Sequence, residues 1–165
     1  MPKKHLSINL ADRASVQNSI NLVRNAKYKV IDAHNKMIVA LTEELVDVIK
    51  INANAMLGTS WAEESIHATY VTNDDGRYIG QIWGADYIIY IEYGTGRVGA
   101  ANPNAQRPAG WVYSDKSWVY YDDRVGFVTT EGQAPRPFIR QSVEQVKKHA
   151  KKKAEVTFYE WIAMT

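Results

Sequence analysis

The residues able to do chemistry in this sequence form a few groups, of which the carboxylates come first. Adjacent acids stand at Glu63 with Glu64, Asp74 with Asp75 and Asp122 with Asp123. A paired acid serves as general acid or base, or holds Mg²⁺, when a cleft desolvates one member. Two of these pairs lie in turn-like sequence and the third in a loop or at a helix start, which points to solvated acids. Asp74-Asp75-Gly76 also lacks the spaced acids and closing Glu of a calcium loop. The four histidines, His5, His34, His67 and His149, make no H-E-x-x-H or H-x-H pair, so no zinc site is expected. No G-x-S-x-G elbow accompanies Ser114, Ser117 or Ser142. There is no cysteine, which removes a disulfide framework, thiolate ligation and a cysteine nucleophile. Gly94-Thr95-Gly96-Arg97-Val98-Gly99 matches G-x-G-x-x-G literally. A dinucleotide site needs a helix opening on that motif so that its amides meet the pyrophosphate. Here Pro103 and Pro108 follow closely, and no helix of useful length can start. The glycines read as turn residues with positive φ. The sequence nominates no catalytic residue, metal ligand or cofactor.

Two further groups read as surfaces. Lys147, Lys148, Lys151, Lys152 and Lys153 place five lysines in seven residues. They form a solvated helix face, or a salt-dependent contact to phosphates or to an acidic partner. The net charge of only +2 is too balanced to make nucleic acid the default partner. The aromatic residues are 5 Trp and 10 Tyr against 3 Phe. Ten of those fifteen Trp and Tyr lie between Tyr78 and Tyr121. A polar tip on an apolar body suits half-buried positions and protein contacts. Trp83, Tyr93, Arg97, Trp111, Trp118 and Tyr120 are the candidate subunit or partner interface.

The elements that must position these groups follow from periodicity. With 165 residues, 45% hydrophobic and 23% charged, the chain reads as one domain, residues 1–165. Neither Gly nor Pro occurs from Leu6 to Leu57. Val16, Ile20, Val23, Val30, Met37, Ile38, Leu41, Leu45, Val48 and Ile49 recur at helical spacing. Asp12 or Ser15 is the expected cap and Gly58 the stop. A helix over 14–57 would be ~65 Å long, against roughly 40 Å for a compact domain of this size. Either it breaks near residues 25–35, or it projects and packs on something else. Residues 65–72 and 77–83 read as a hairpin around Asn73-Asp74-Asp75-Gly76. The run 87–93 is a buried strand or a short helix. Residues 94–110 read as a long surface loop. A second hairpin is expected from 111–113 and 117–121 around Ser114-Asp115-Lys116, with a further short strand at 125–129. The C-terminal helix, 137–162, carries a stripe of Val143, Val146, Ala150, Ala154, Phe158 and Trp161. The expected class is α+β: a helical part over 1–57, a β-rich part over 65–129 with antiparallel sheet and the loop 94–110, and a terminal helix. No secretory h-region follows Lys3-Lys4, and no apolar run approaches the ~20 residues of a membrane helix. The expectation is a soluble protein made in the cytoplasm.

Two segments carry more than composition. One is Ala85-Asp86-Tyr87-Ile88-Ile89-Tyr90-Ile91-Glu92-Tyr93-Gly94-Thr95-Gly96. The other is Thr129-Thr130-Glu131-Gly132-Gln133-Ala134-Pro135-Arg136-Pro137-Phe138-Ile139-Arg140. In this order they resemble the gene-product-ten-like family of HK-ninety-seven-type tailed phages, which are neck, head–tail connector or tail-completion proteins. The matching residues are Glu92, Tyr93, Gly94, Thr95 and Gly96, then Gly132, Pro135, Pro137, Phe138, Ile139 and Arg140. The resemblance covers roughly residues 35–150. Where the family pattern often carries a Pro between the aromatic residues before the Glu, this chain has Ile88-Ile89. As structure, Gly94 and Gly96 permit a sharp exit, Thr95 can bond local backbone, and Phe138 anchors the last helix. Glu92 is expected to meet exposed amides or Arg140.

The resemblance implies a structural virion protein, not an enzyme, that joins the head connector to the tail. It implies a homo-oligomeric ring, of about six or twelve copies, built from heterologous contacts that close by rotation. The implied partners are head connector, adaptor or stopper proteins and tail terminator or tail tube proteins. DNA passes through without specific contact, and no membrane is involved. The implied location is the virion neck or tail, with the host cytoplasm during assembly. The competing expectations are a nucleic-acid-binding module using the C-terminal lysines and a hydrolase using one carboxylate pair in a cleft.

Overall fold

The computed structural model describes residues 8–58, 61–101, 108 and 110–164. The chain is α+β: a long N-terminal helix, two small antiparallel hairpins and a long C-terminal helix. Helix α1, Arg13–Leu57, is continuous for 45 residues, ~68 Å at 1.5 Å per residue. Asp12 caps it through a side-chain oxygen that accepts from the Ala14 amide, and Gly58 ends it in the left-handed region at φ 67°. No break occurs at 25–35, so of the two alternatives the helix projects.

Its packing partners explain how far. Helix α5, Phe138–Met164, runs antiparallel to α1. Ser142 Oγ accepts from Asn52 at 2.8 Å, His149 lies 2.6 Å from Glu44, and Trp161 Nε1 donates to Asp32 at 2.5 Å. The expected stripe of α5 faces α1, with Val146 buried and Val143, Ala150, Ala154, Phe158 and Trp161 half-buried. Because α5 ends opposite the region of Asp32, no described residue covers α1 over 20–30, where every residue is exposed. Val46, Ile49 and Ala53 of α1, Ala62 and Ile66, Ile88 and Ile91, and Phe138 form the core.

Short helix α2, Trp61–Ser65, leads into the first hairpin, β1 (His67–Thr72) with β2 (Tyr78–Trp83). Its turn matches the sequence expectation, with Gly76 at φ 79°. The hairpin lies on α1. Asn35 clamps the turn by donating to the Gly76 carbonyl at 3.0 Å and accepting from the Tyr78 amide at 2.8 Å. Gly80 sits where a Cβ would fall 2.1 Å from Thr42 Oγ1, so strand and helix approach at a spacing only glycine allows.

Residues 87–93 are helix α3, Tyr87–Tyr93, not a strand. Ile88 and Ile91 share the buried face at a helical step while Tyr87, Ile89 and Tyr90 stay exposed. The stretch read as one long loop contains a further short helix, α4, Gly96–Ala100; residues 102–107 and 109 lie outside those described. The second hairpin differs from expectation. Strand β3, Trp118–Asp122, pairs with β4, Gly126–Thr130, and 111–113 is not a strand. Side-chain ties hold 111–113 elsewhere. Trp111 packs on the Tyr90 and Tyr93 rings, with centroids at 5.4 and 5.6 Å, and Tyr113 Oη donates to the Tyr93 carbonyl at 2.7 Å. The chain instead reverses after Asp122, whose Oδ1 accepts from the Arg124 amide at 2.8 Å. The two hairpins are separate two-stranded units, not one sheet. Strand β5, Gly132–Gln133, bridges antiparallel to Thr95 and Gly96.

Candidate functional site

The two recognisable segments fold into one unit, and its centre is the first turn of α5. A helix start leaves amides without intrahelical partners, and local capping residues normally supply the acceptors. The residues before Phe138 are Pro135-Arg136-Pro137, which offer no short acceptor side chain. The cap comes from far away in sequence. Glu92 Oε2 accepts from the Ile139 amide at 2.9 Å, and Oε1 accepts from the Arg140 amide at 3.0 Å. The rest of the turn closes locally. Pro137 has no N–H, the Phe138 amide donates to the Arg136 carbonyl at 2.9 Å, and the Gln141 amide to the Pro137 carbonyl at 3.1 Å. Every donor of the turn is accounted for.

The contact expected between Glu92 and Arg140 is made, through the backbone amide of Arg140. Glu92 is 4% exposed. Burial pushes its carboxyl above the ordinary carboxylate range, while the amides of Arg140 and Ile139 and the Arg140 charge pull the other way. The carboxylate sits on the positive end of a 27-residue helix, where an anion is favoured. A cleft of about 610 Å³ runs beside it, lined by Trp83, Asp86, Ile89 and Tyr90 among others. Both Glu92 oxygens already hold amides, so the geometry describes a structural cap.

The glycines lock the unit. A Cβ on Gly132, at φ 105°, would fall 1.9 Å from the Thr95 carbonyl oxygen. One on Gly96, at φ 59°, would fall 2.2 Å from the Glu131 carbonyl oxygen. Thr95 Oγ1 accepts from the Gln133 amide at 3.2 Å, and the Arg136 amide donates to the Ile91 carbonyl at 2.8 Å. Pro135 packs on Gly94, and Phe138 is wholly buried. The third glycine of G-x-G-x-x-G, Gly99, is pressed against Tyr113 and Gly94. All three glycines of that motif thus face protein.

Comparison with protein families, with curated proteins and with solved structures finds no match.

The remaining candidates are dispersed. Trp83 is 56% exposed, with its indole N–H donating to Thr69 at 2.8 Å. Arg97 reaches the Asp115 carbonyl and Glu131. Tyr93 and Trp111 are half-buried against each other, and Trp118 and Tyr120 lie on β3. Of the lysines, Lys147 pairs with Glu144 at 2.9 Å and Lys153 with Glu44 at 2.6 Å. Lys148, Lys151 and Lys152 point to solvent. The acid pairs stand on turns or on short α2: Asp74, Asp75 and Asp123 are exposed, and Asp122 is spent on its own turn. Among the described residues, no three His, Asp or Glu side chains cluster as a metal site, and no helix is long and apolar enough to cross a membrane. Gln133 and Tyr113 tie the site together without having been singled out. Gln133 stands within the second recognisable segment, between Gly132 and Pro135, which is the only signal the sequence offered for it.

Proposed function

We propose that the chain is a structural protein of a tailed-phage neck, forming a ring at the head–tail junction that joins head connector to tail. The support is the ordered pair of motif segments, together with the part those residues play here. Glu92, Gly94, Thr95, Gly96, Gly132, Pro135, Pro137 and Phe138 all build the joint between α3, β5 and α5. A motif that serves the joint preserves a scaffold, and a scaffold protein needs surfaces more than it needs a reactive group. The chain has such surfaces in the projecting half of α1 and the exposed β3–β4 hairpin.

Mass analysis and immunogold labelling of purified particles test the proposal. Label at the head–tail junction is expected, and particles that lack the protein would overturn it. A second assay addresses the nucleic-acid alternative. DNA binding that is steeply salt-dependent and is lost when Lys148, Lys151 and Lys152 are neutralised would favour a nucleic-acid module instead.

A further inference from the structure

Among the described residues, two apolar surfaces of this chain have no partner. The first is a groove of about 580 Å³ between the projecting half of α1 and the segment before it, lined by Val16, Ile20, Val23 and Tyr28 together with Ile8 and Leu10. Ile20, Val23 and Tyr28 are 45%, 60% and 62% exposed. The second is the outer face of the β3–β4 hairpin. Strand alternation places Trp118, Tyr120 and Val128 on one face, and Val119, Tyr121 and Phe127 on the other. The first face turns toward Thr95 and Gln133. The second turns outward, with Val119 59%, Tyr121 62% and Phe127 80% exposed. Strands β3 and β4 pack chiefly on each other, and a lone two-stranded hairpin is marginally stable in water. Such a hairpin needs a surface to lie on.

Its own groove is out of reach. The hairpin joins β5 and the start of α5, and α5 begins beside Val48 and Asn52 of α1. Val23 stands ~38 Å back along the helix from Val48, while a five-residue strand spans ~17 Å. The charges are complementary. Between Arg13 and Ile31, α1 carries Arg13, Arg24, Lys27 and Lys29 and no acid. Residues 118–130, the β3–β4 hairpin, by contrast carry Asp122 and Asp123 against the single base Arg124.

We propose that the outer face of the β3–β4 hairpin of one copy docks in the α1 groove of a second copy. The contact is heterologous, because the two patches differ and lie at opposite ends of α1. Each docking event leaves one groove and one hairpin unused, so the contact propagates until rotation closes it. It names the contact that the ring proposed above would use and rests on that reading only for the closure.

The absence of native cysteine makes the test direct. Val23→Cys and Phe127→Cys variants of the full chain are purified, checked for parental helix content by circular dichroism, and oxidised alone and mixed. A covalent dimer is expected from the mixture and not from either variant alone. The double variant is expected to give a ladder of dimers, trimers and higher species. Dimers from V23C alone without a 23–127 product would mean helix-on-helix pairing and would overturn the proposal, as would monomer in every mixture. The cross-link uses purified protein only. A 23–127 product from a chain absent from phage particles would therefore sink the neck function and leave the contact standing. A neck location without that product would do the reverse.

Discussion

Replacing Glu92 probes the joint between the two motif segments most sharply. In Glu92→Ala both acceptors of the first α5 turn disappear, leaving the Ile139 and Arg140 amides without partners. Each orphaned amide costs about 1–2 kcal/mol. Removing a buried carboxyl whose ionisation burial already opposes offsets part of the added cavity. The net expectation is a loss of about 3 kcal/mol, or roughly 6–12 °C in Tm for a chain of this size. Glu92→Gln keeps one acceptor and turns an NH₂ toward the other amide, so about half that loss is expected. The assay is urea unfolding followed by circular dichroism, with hydrogen exchange at Ile139 and Arg140. The pH dependence adds a sign. Burial holds the folded-state carboxyl above its ordinary 4.5. The Glu92 contribution is therefore fully present below that value and shrinks as pH rises through the folded-state value. Gln does not titrate, so the gap between the parent and E92Q should narrow as pH rises from below 4.5 through the folded-state value. An E92A variant within about 0.5 kcal/mol of the parent, with the two amides still protected, would refute the capping role.

Other perturbations follow from the same geometry. Gly132→Ala should destabilise by ~2 kcal/mol or more, because its Cβ collides with the Thr95 carbonyl. Gly126→Ala, at φ 81° with open space around it, should cost only ~1–2 kcal/mol; equal losses in the two melting curves would contradict the close approach. Burial, then its hydrogen bond to Glu43 and the Glu43 charge, push the Tyr70 hydroxyl up to about 12. The phenolate difference spectrum between parent and Tyr70→Phe should accordingly emerge only near that pH, and emergence near 10 would contradict it. Glu44 is held below its ordinary range by Lys153 and His149. Its contribution is complete above 4.5 and lost as pH falls through the lower folded value. Glu44→Gln should therefore cost about 0.5 kcal/mol near neutrality and progressively less in acid, measured by denaturation across pH.

Local signals made parts of this fold readable. Asp12 and Gly58 mark the ends of α1, and the turn Asn73-Asp74-Asp75-Gly76 marks the first hairpin, because caps and turns depend on neighbours in sequence. The continuity of α1 could not be read, since it depends on where α5 stops covering it. Residues 87–93 were ambiguous for a related reason. A short apolar run fits either period until Ile88 and Ile91 meet the core. Residues 111–113 read as a strand, but aromatic packing on Tyr90 and Tyr93 and the Tyr113 hydroxyl hold them elsewhere. At the candidate site the motif residues were legible and their assembly was not. The α5 cap comes from Glu92 on another helix, a pairing for which spacing along the chain carries no information.

Deleting the gene from a phage that encodes this chain, with the protein supplied in trans as control, tests the proposed function most directly. The expected result is DNA-filled heads and finished tails that accumulate separately in electron micrographs and join when the protein is restored. Normally tailed, infectious particles assembled without it would contradict the neck assignment.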